Sequence, residues 1–346
     1  MEQDALPCKI VELNRWNIVP GLMTTYSTDN EMMKTRVNFE LLGEVGADLG
    51  GISREIYASF WQEGCLQYFD SDDSIYVPRP NGVSKDDLIT LGKIISHGYL
   101  MTGIFPVTIS QSYMQAMLCG EETVSDYFVL EDFENYLAPY EANSLQSILT
   151  SPTFDGDSKQ FILNLKDRYG MRTMPNISNV KDIVVQMARS QMIETPLHTM
   201  SKIKKGMMSG GGKQLWEDVT VEDLDEVYRV QTPNPARVAS LLTTEKELQS
   251  NAEESKYYEF LCRYVRTSDQ KNCVNFLKFC TGSSTIVVQK ISVMFFKSSS
   301  REPLPKAHTC GAVLELPCSG YPSFSSFKVM MDKLMNNPLS YDFRFE

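Results

Sequence analysis

The stretch "LPKAHTCGAVLELPCSGYP" at residues 304–322 sets a thiol against a short alternating apolar run. Ala312, Leu314 and Leu316 fall on one side of an extended segment, Val313 and Glu315 on the other, so the run reads as a strand closed by Pro317. Cys310 then lies at the junction between loop and strand. Structural cysteines are commoner inside helices and strands, whereas a thiol at a strand mouth entered through a loop has the access that a nucleophile needs. Cys310 is therefore a candidate nucleophile, and Cys318, beside the "SGYP" turn, is its rival.

Working outward, Ile291, Val293 and Phe295 alternate with Lys290, Ser292 and Met294, which predicts a second strand. Tyr258, Leu261, Cys262 and Val265 follow helical spacing, "CVNFLKFC" reads as another helix, and Phe327, Met330, Met331 and Leu334 mark a closing one. These elements form a compact α+β unit of about 100 residues. Upstream the chain is mainly helical, with "DDLITLGKIISHGYLMTGIF" and "NVKDIVVQMARSQMI" carrying apolar residues three and four apart. Phe161, Leu163 and Leu165 alternate as in a strand, yet fit a helix equally well. "SGGGK" at 209–213 reads as a flexible loop, and "TPNPAR" followed by the charged "TTEKELQSNAEESK" as a connector. The expected domains are 1–245 and 246–346.

At 346 residues and 42% hydrophobic content, the chain has material for about two cores. Its net charge of -11 repels phosphate backbones, so no nucleic-acid partner is expected. No run approaches the ~18 apolar residues of a membrane span, and "MEQDALPCKI" is polar and acidic where a secretory signal is basic and then apolar. A soluble protein of the cytoplasm and/or nucleus is expected, with no membrane partner. The eight cysteines never form C-x-x-C and the three histidines, His97, His198 and His308, show no ligand spacing, so no metal or cofactor is implied.

Four stretches taken together go further: "RVNFELLGEVGADLGGISREIY" at 36–57, "LGKIISHGYLMTGIF", "FLKFCTGSS" at 276–284 and "LPKAHTC" at 304–310. In order and spacing they resemble the HECT family of ubiquitin ligases. The first is similar to the family's amino-lobe signature through Gly43, Glu44, Gly46, Asp48, Gly50, Gly51, Arg54 and Glu55, and the last to its catalytic-cysteine loop. The resemblance implies a bilobal α+β fold, with a larger, mainly helical amino lobe and a smaller α/β carboxy lobe joined by a flexible hinge. It also implies an enzyme that accepts ubiquitin from a ubiquitin-conjugating enzyme as a thioester on Cys310 and passes it to a lysine of a protein substrate. His308 and Thr309 would support the thiol, and Phe343, fourth from the end, would support transfer. Two departures stand out. Gly311 and Ala312 follow the cysteine where the family usually has a bulky apolar residue and an asparagine, and the conjugating-enzyme-binding subdomain around 140–175 looks shortened.

The residues themselves fit that chemistry. Thiol attack on a thioester exchanges bonds of similar energy, so one accessible, well-placed thiolate suffices without a histidine triad. His308, two residues before Cys310, would share its face in an extended backbone, although holding the loop by hydrogen bonds is the commoner task for such a histidine. Thr309 would hold it through its hydroxyl, and Asp342 and Glu346 could orient the incoming lysine. Gly50 and Gly51 suit a turn into a helix capped by Asp48 or Ser53; no phosphate-loop pattern accompanies them. Arg54 and Glu55 read as an internal ion pair or helix-end charges. Two rivals remain: a HECT-like module that only binds ubiquitin or a conjugating enzyme, and a cysteine hydrolase in which His97 or His198 meets Cys310.

Overall fold

Alternating apolar residues pair Cys8–Leu13 (β1) with Arg36–Leu41 (β2) in parallel, Val11 in register with Phe39 and Leu13 with Leu41. The computed structural model describes residues 7–29, 31–43, 48, 50–244, 251–300 and 302–337. Helix α1 (Ile18–Thr28) lies between these strands in sequence, and α2 (Gly51–Tyr68) follows them. A short antiparallel pair, β3 (Phe69–Asp70) and β4 (Val77–Pro78), leads to α3 (Lys85–Thr102). The Ser84 hydroxyl accepts the Asp87 amide at the start of α3, with Asp86 and Asp87 in its first turn as the helix dipole favours. Then come α4 (Gln111–Cys119), α5 (Asp126–Tyr136), α6 (Pro139–Thr150), α7 (Gly156–Arg168), α8 (Val180–Arg189), α9 (Leu197–Met207), α10 (Gly212–Trp216) and α11 (Val221–Gln231).

One open reading is decided here and one expectation is corrected. The run at Phe161–Leu165 lies on α7, whose amino terminus is capped by Asp155 accepting the Ser158 amide; Leu165 is buried, while Phe161 and Leu163 are half-buried. The glycine run at 209–213 is a packed turn from α9 into α10, with Gly212 against the Met207 carbonyl.

Helices α3 and α9 cross at Gly92 and Gly206. A Cβ on Gly92 would lie 2.0 Å from the Ile203 oxygen, and one on Gly206 1.9 Å from the Ile89 oxygen, so only glycine allows this backbone contact.

After α12 (Pro235–Leu241) the chain builds a four-stranded sheet in the order β5 (Leu242–Thr243), β6 (Ile291–Phe296), β8 (Val313–Pro317) and β7 (Lys306–His308). Its β5–β6 and β6–β8 pairs are parallel, and β7 runs antiparallel at the edge. Leu314 and Leu316, as their alternation predicts, share a core with residues of α13 (Ala252–Arg266), α14 (Gln270–Thr281) and α15 (Phe324–Met335).

Among the described residues there are two hydrophobic cores, one drawn from Val11 to Tyr228 and one from Val238 to Met335. They part before residue 245, because α12 and β5 contribute Val238, Ala239 and Leu242 to the second. A cleft of about 470 Å³, lined among others by Trp61, Tyr76, Phe105 and Val274, opens between residues of the two units. Among the described residues, no helix is long and apolar enough to cross a membrane.

Candidate active site

Cys310 sits on a four-residue turn that joins the antiparallel strands β7 and β8, in which His308 is registered with Val313. The turn is closed by Gly311 N–H donating to the His308 carbonyl (3.2 Å) and Ala312 N–H donating to the Thr309 carbonyl (3.3 Å). Ala312 adopts φ 49°, an unusual conformation for a residue with a Cβ. Its methyl is buried and its carbonyl accepts the Ser292 amide of β6 at 2.9 Å, so burial and a sheet bond hold the strained residue in place. Thr309 is buried beside it, while Cys310 remains exposed.

The amino terminus of α2 meets this turn. Gly50 has φ 93°, and the Asp48 carboxylate accepts the Gly50 amide at 2.9 Å, the Ser53 amide at 3.2 Å and the Ser53 hydroxyl. Gly50 is the cap residue itself, and Asp48, two residues before it, supplies the carboxylate that accepts the amides at the helix start. A Cβ on Gly51 would stand 2.7 Å from Cys310 Sγ and 3.0 Å from Thr309 Oγ1; the second glycine of the doublet is there so the cysteine turn can approach. From the next turn of α2, Arg54 Nε donates to the Thr281 carbonyl (3.0 Å) at the end of α14. Its Nη2 donates to the carbonyls of Thr309 (2.6 Å) and Cys310 (3.2 Å). Burial pulls the guanidinium pKa below its ordinary value, against the favourable charges of Cys310 and Asp48, and an arginine stays charged under those conditions. Gly282, at φ 76° after Thr281, closes the junction 3.2 Å (Cβ position) from the Gly51 carbonyl.

The expected Arg54–Glu55 partnership is not what forms. Arg54 spends its donors on carbonyls of the second unit, and buried Glu55 pairs with Arg15. A cation in the first turn of a helix opposes the dipole, so Arg54 does not serve the stability of α2 as a helix-end charge.

His308 is exposed and its Nε2 faces Glu315 Oε1 at 3.2 Å, across the β7–β8 pair. The extended backbone assumed for residues 308–310 is broken by the turn, so the shared-face argument for His308 and Cys310 fails. Cys318 is buried and donates its thiol to the Phe296 carbonyl at 3.3 Å, and burial raises its pKa. Its inaccessibility sets it apart from Cys310. Both ring nitrogens of His97 are occupied by the Tyr26 hydroxyl and the Thr35 carbonyl in the first core, and His198 is exposed on α9. Phe343, Asp342 and Glu346 lie outside the described residues.

A fold in two units, with an accessible thiol on a turn gripped from the other unit, agrees with the outcome of family comparison. Residues 52–338 match the HECT-domain (ubiquitin-transferase) family, and the chain belongs to it. Among its relatives are the E3 ubiquitin-protein ligase HUWE1 of Mus musculus, 22% identical over 87% of this chain and 7% of that protein, and NEDD4 of Homo sapiens, 22% identical over 88% and 24% respectively. TOM1 of Saccharomyces cerevisiae is 25% identical over 84% of this chain and 10% of its own length. The chain spans less than a quarter of the length of these ligases.

Proposed function

We propose that the chain is the catalytic domain of a ubiquitin ligase that receives ubiquitin on Cys310 and passes it to a lysine. The observation that carries this reading is convergence: Gly51 and Arg54, Thr281 and Gly282, and Thr309 and Cys310, from three stretches far apart in sequence, meet around one exposed thiol. A module that only binds ubiquitin has no chemical need for such an arrangement.

In the first step the Cys310 thiolate attacks the carbonyl of the ubiquitin thioester on a conjugating enzyme. The new C–S bond forms as the old one breaks, and the departing thiolate takes up a proton. In the second, the uncharged amine of a substrate lysine attacks the Cys310 thioester, an amide forms, and the Cys310 thiolate is released. The attacking nitrogen gives up one proton to a base, a role open to Asp342 or Glu346, while Phe343 helps to place the reacting groups. His308 and Thr309 serve the turn, the one through Glu315 and the other through its buried position.

The two lobes, each built on one of the two cores, exchange partners by moving about the segment between Tyr228 and Val238. What joins them supports this: a cleft and scattered polar bonds, such as Lys278 Nζ to Gln62 Oε1 (2.9 Å) and Gln270 Nε2 to the Pro233 carbonyl (2.9 Å). The conjugating enzyme binds the shortened subdomain around 140–175, and the work is done in the cytoplasm or nucleus, where thiols stay reduced.

Incubation with activating enzyme, a panel of conjugating enzymes and ubiquitin should give an adduct that disappears on reduction. Cys310→Ala should abolish it with little loss of stability, since an exposed thiol packs against little. An adduct of undiminished yield in Cys310→Ala would remove the proposal. A protein that never loads would favour the binding module.

A further inference from the structure

Thioester transfer needs more than an accessible thiol, because the loop that bears it must also stand still while a second nucleophile attacks. Resting on the Cys310 reading above, we propose that Arg54 is a positioning residue for discharge to lysine, forming with Gly51 a seat on the larger unit into which the Cys310 turn docks.

The contacts are of two kinds and agree. Arg54 reaches three backbone carbonyls, those of Thr281, Thr309 and Cys310, all on the smaller unit. Because the acceptors are main-chain atoms of two separate segments, the bonds form only when the end of α14 and the cysteine turn stand together in one orientation. Charge-assisted bonds of this kind are about twice as strong as neutral ones, and the planar fork of a guanidinium fixes direction as well as distance. Gly51 adds a steric half: the Cβ it lacks would fall 2.7 Å from Cys310 Sγ and 3.1 Å from the Cys310 amide nitrogen.

What the seat holds and what it leaves open decide its purpose. Thr309 is buried and the carbonyls of Thr309 and Cys310 are engaged, yet the Cys310 side chain stays exposed. A device for shutting the enzyme off would cover the sulfur. This one grips the backbone and leaves the sulfur free to carry an acyl group, the arrangement wanted when ubiquitin is already attached and an amine approaches. Loading, in contrast, requires Cys310 to face another protein's cysteine and does not depend on the seat.

The test is single-turnover discharge from preloaded wild type, Arg54→Ala, Arg54→Lys and Gly51→Ala over a range of free lysine concentrations. Only molecules that have loaded are scored, so a misfolded fraction does not enter. Loading should stay within about twofold, while the limiting discharge rate of Arg54→Ala falls by about tenfold or more, as misplaced reacting groups commonly cause. The half-saturating lysine concentration should not change. Arg54→Lys should fail to restore the rate, since one ammonium cannot span the three carbonyls, and Gly51→Ala should reproduce the defect with the charge intact. Wild-type discharge in both Arg54→Ala and Gly51→Ala, or faster discharge in either, overturns the seat alone. No adduct on wild type, or a full adduct in Cys310→Ala, overturns the Cys310 reading and the seat with it.

Discussion

His97 shows how a single buried side chain sets a pH limit on the molecule. Its Nε2 meets the Thr35 carbonyl at 2.9 Å, so that nitrogen carries the proton, and Nδ1 accepts from the Tyr26 hydroxyl at 2.5 Å. The Tyr57 hydroxyl, 2.6 Å from that of Tyr26, then donates to it. Burial lowers the His97 pKa from 6.5 to about 4, only partly offset by the bond to Thr35. The neutral form is the folded one, so its stability is complete above pH 6.5 and drains away as pH falls toward 4, by at most about 3 kcal/mol. Urea unfolding at pH 7.0, 5.5 and 4.5 should show this loss, with a flatter profile in His97→Gln; equal slopes would contradict it. At this scale the exposure of Cys310 was legible, because loop access can be read from the neighbours on either side. The task of Arg54 could not be read, because its acceptors lie 227 and 255 residues away.

Glycine placement governs the elements. The spacing of apolar residues in "DDLITLGKIISHGYLMTGIF" was enough to find α3, but which of its glycines touches another backbone depends on where α9 crosses. Gly206→Ala drives a methyl into the Ile89 carbonyl and should cost about 1–3 kcal/mol or more, as overpacking does. Gly156→Ala, at the start of α7 with nothing within 4 Å, should be neutral or stabilising by some tenths of a kcal/mol. Thermal unfolding of the two variants side by side decides this, and equal midpoints would refute the account of the α3–α9 crossing. The fate of Phe161 to Leu165 was legible after all in Asp155, whose carboxylate caps α7; an alternating run of five residues is too short to fix a period without its cap.

Two cores joined through polar contacts give the whole molecule a boundary that composition alone places too late. The charged run after residue 243 reads as the connector, yet the cores part between Tyr228 and Val238, because α12 presents Val238 and Ala239 to α13 and α14. Gln231 marks the crossing: its side chain bonds the Gly103 carbonyl at 2.6 Å and the Phe105 amide at 2.9 Å, and its own carbonyl accepts Ile286 N–H at 3.0 Å. Directional bonds of this kind hold one orientation of the two units, and the proposed passage of the thiol from donor to acceptor would have to break them. The measurement that tests this most directly is peptide mapping by mass spectrometry after loading Cys310→Ser and Cys318→Ser in parallel. An oxyester to ubiquitin at position 310 that survives reducing agent in the first, together with a normal reducible adduct in the second, is the predicted result. Ubiquitin attached elsewhere in Cys310→Ser, or loss of loading in Cys318→Ser while the protein remains folded, would contradict the account.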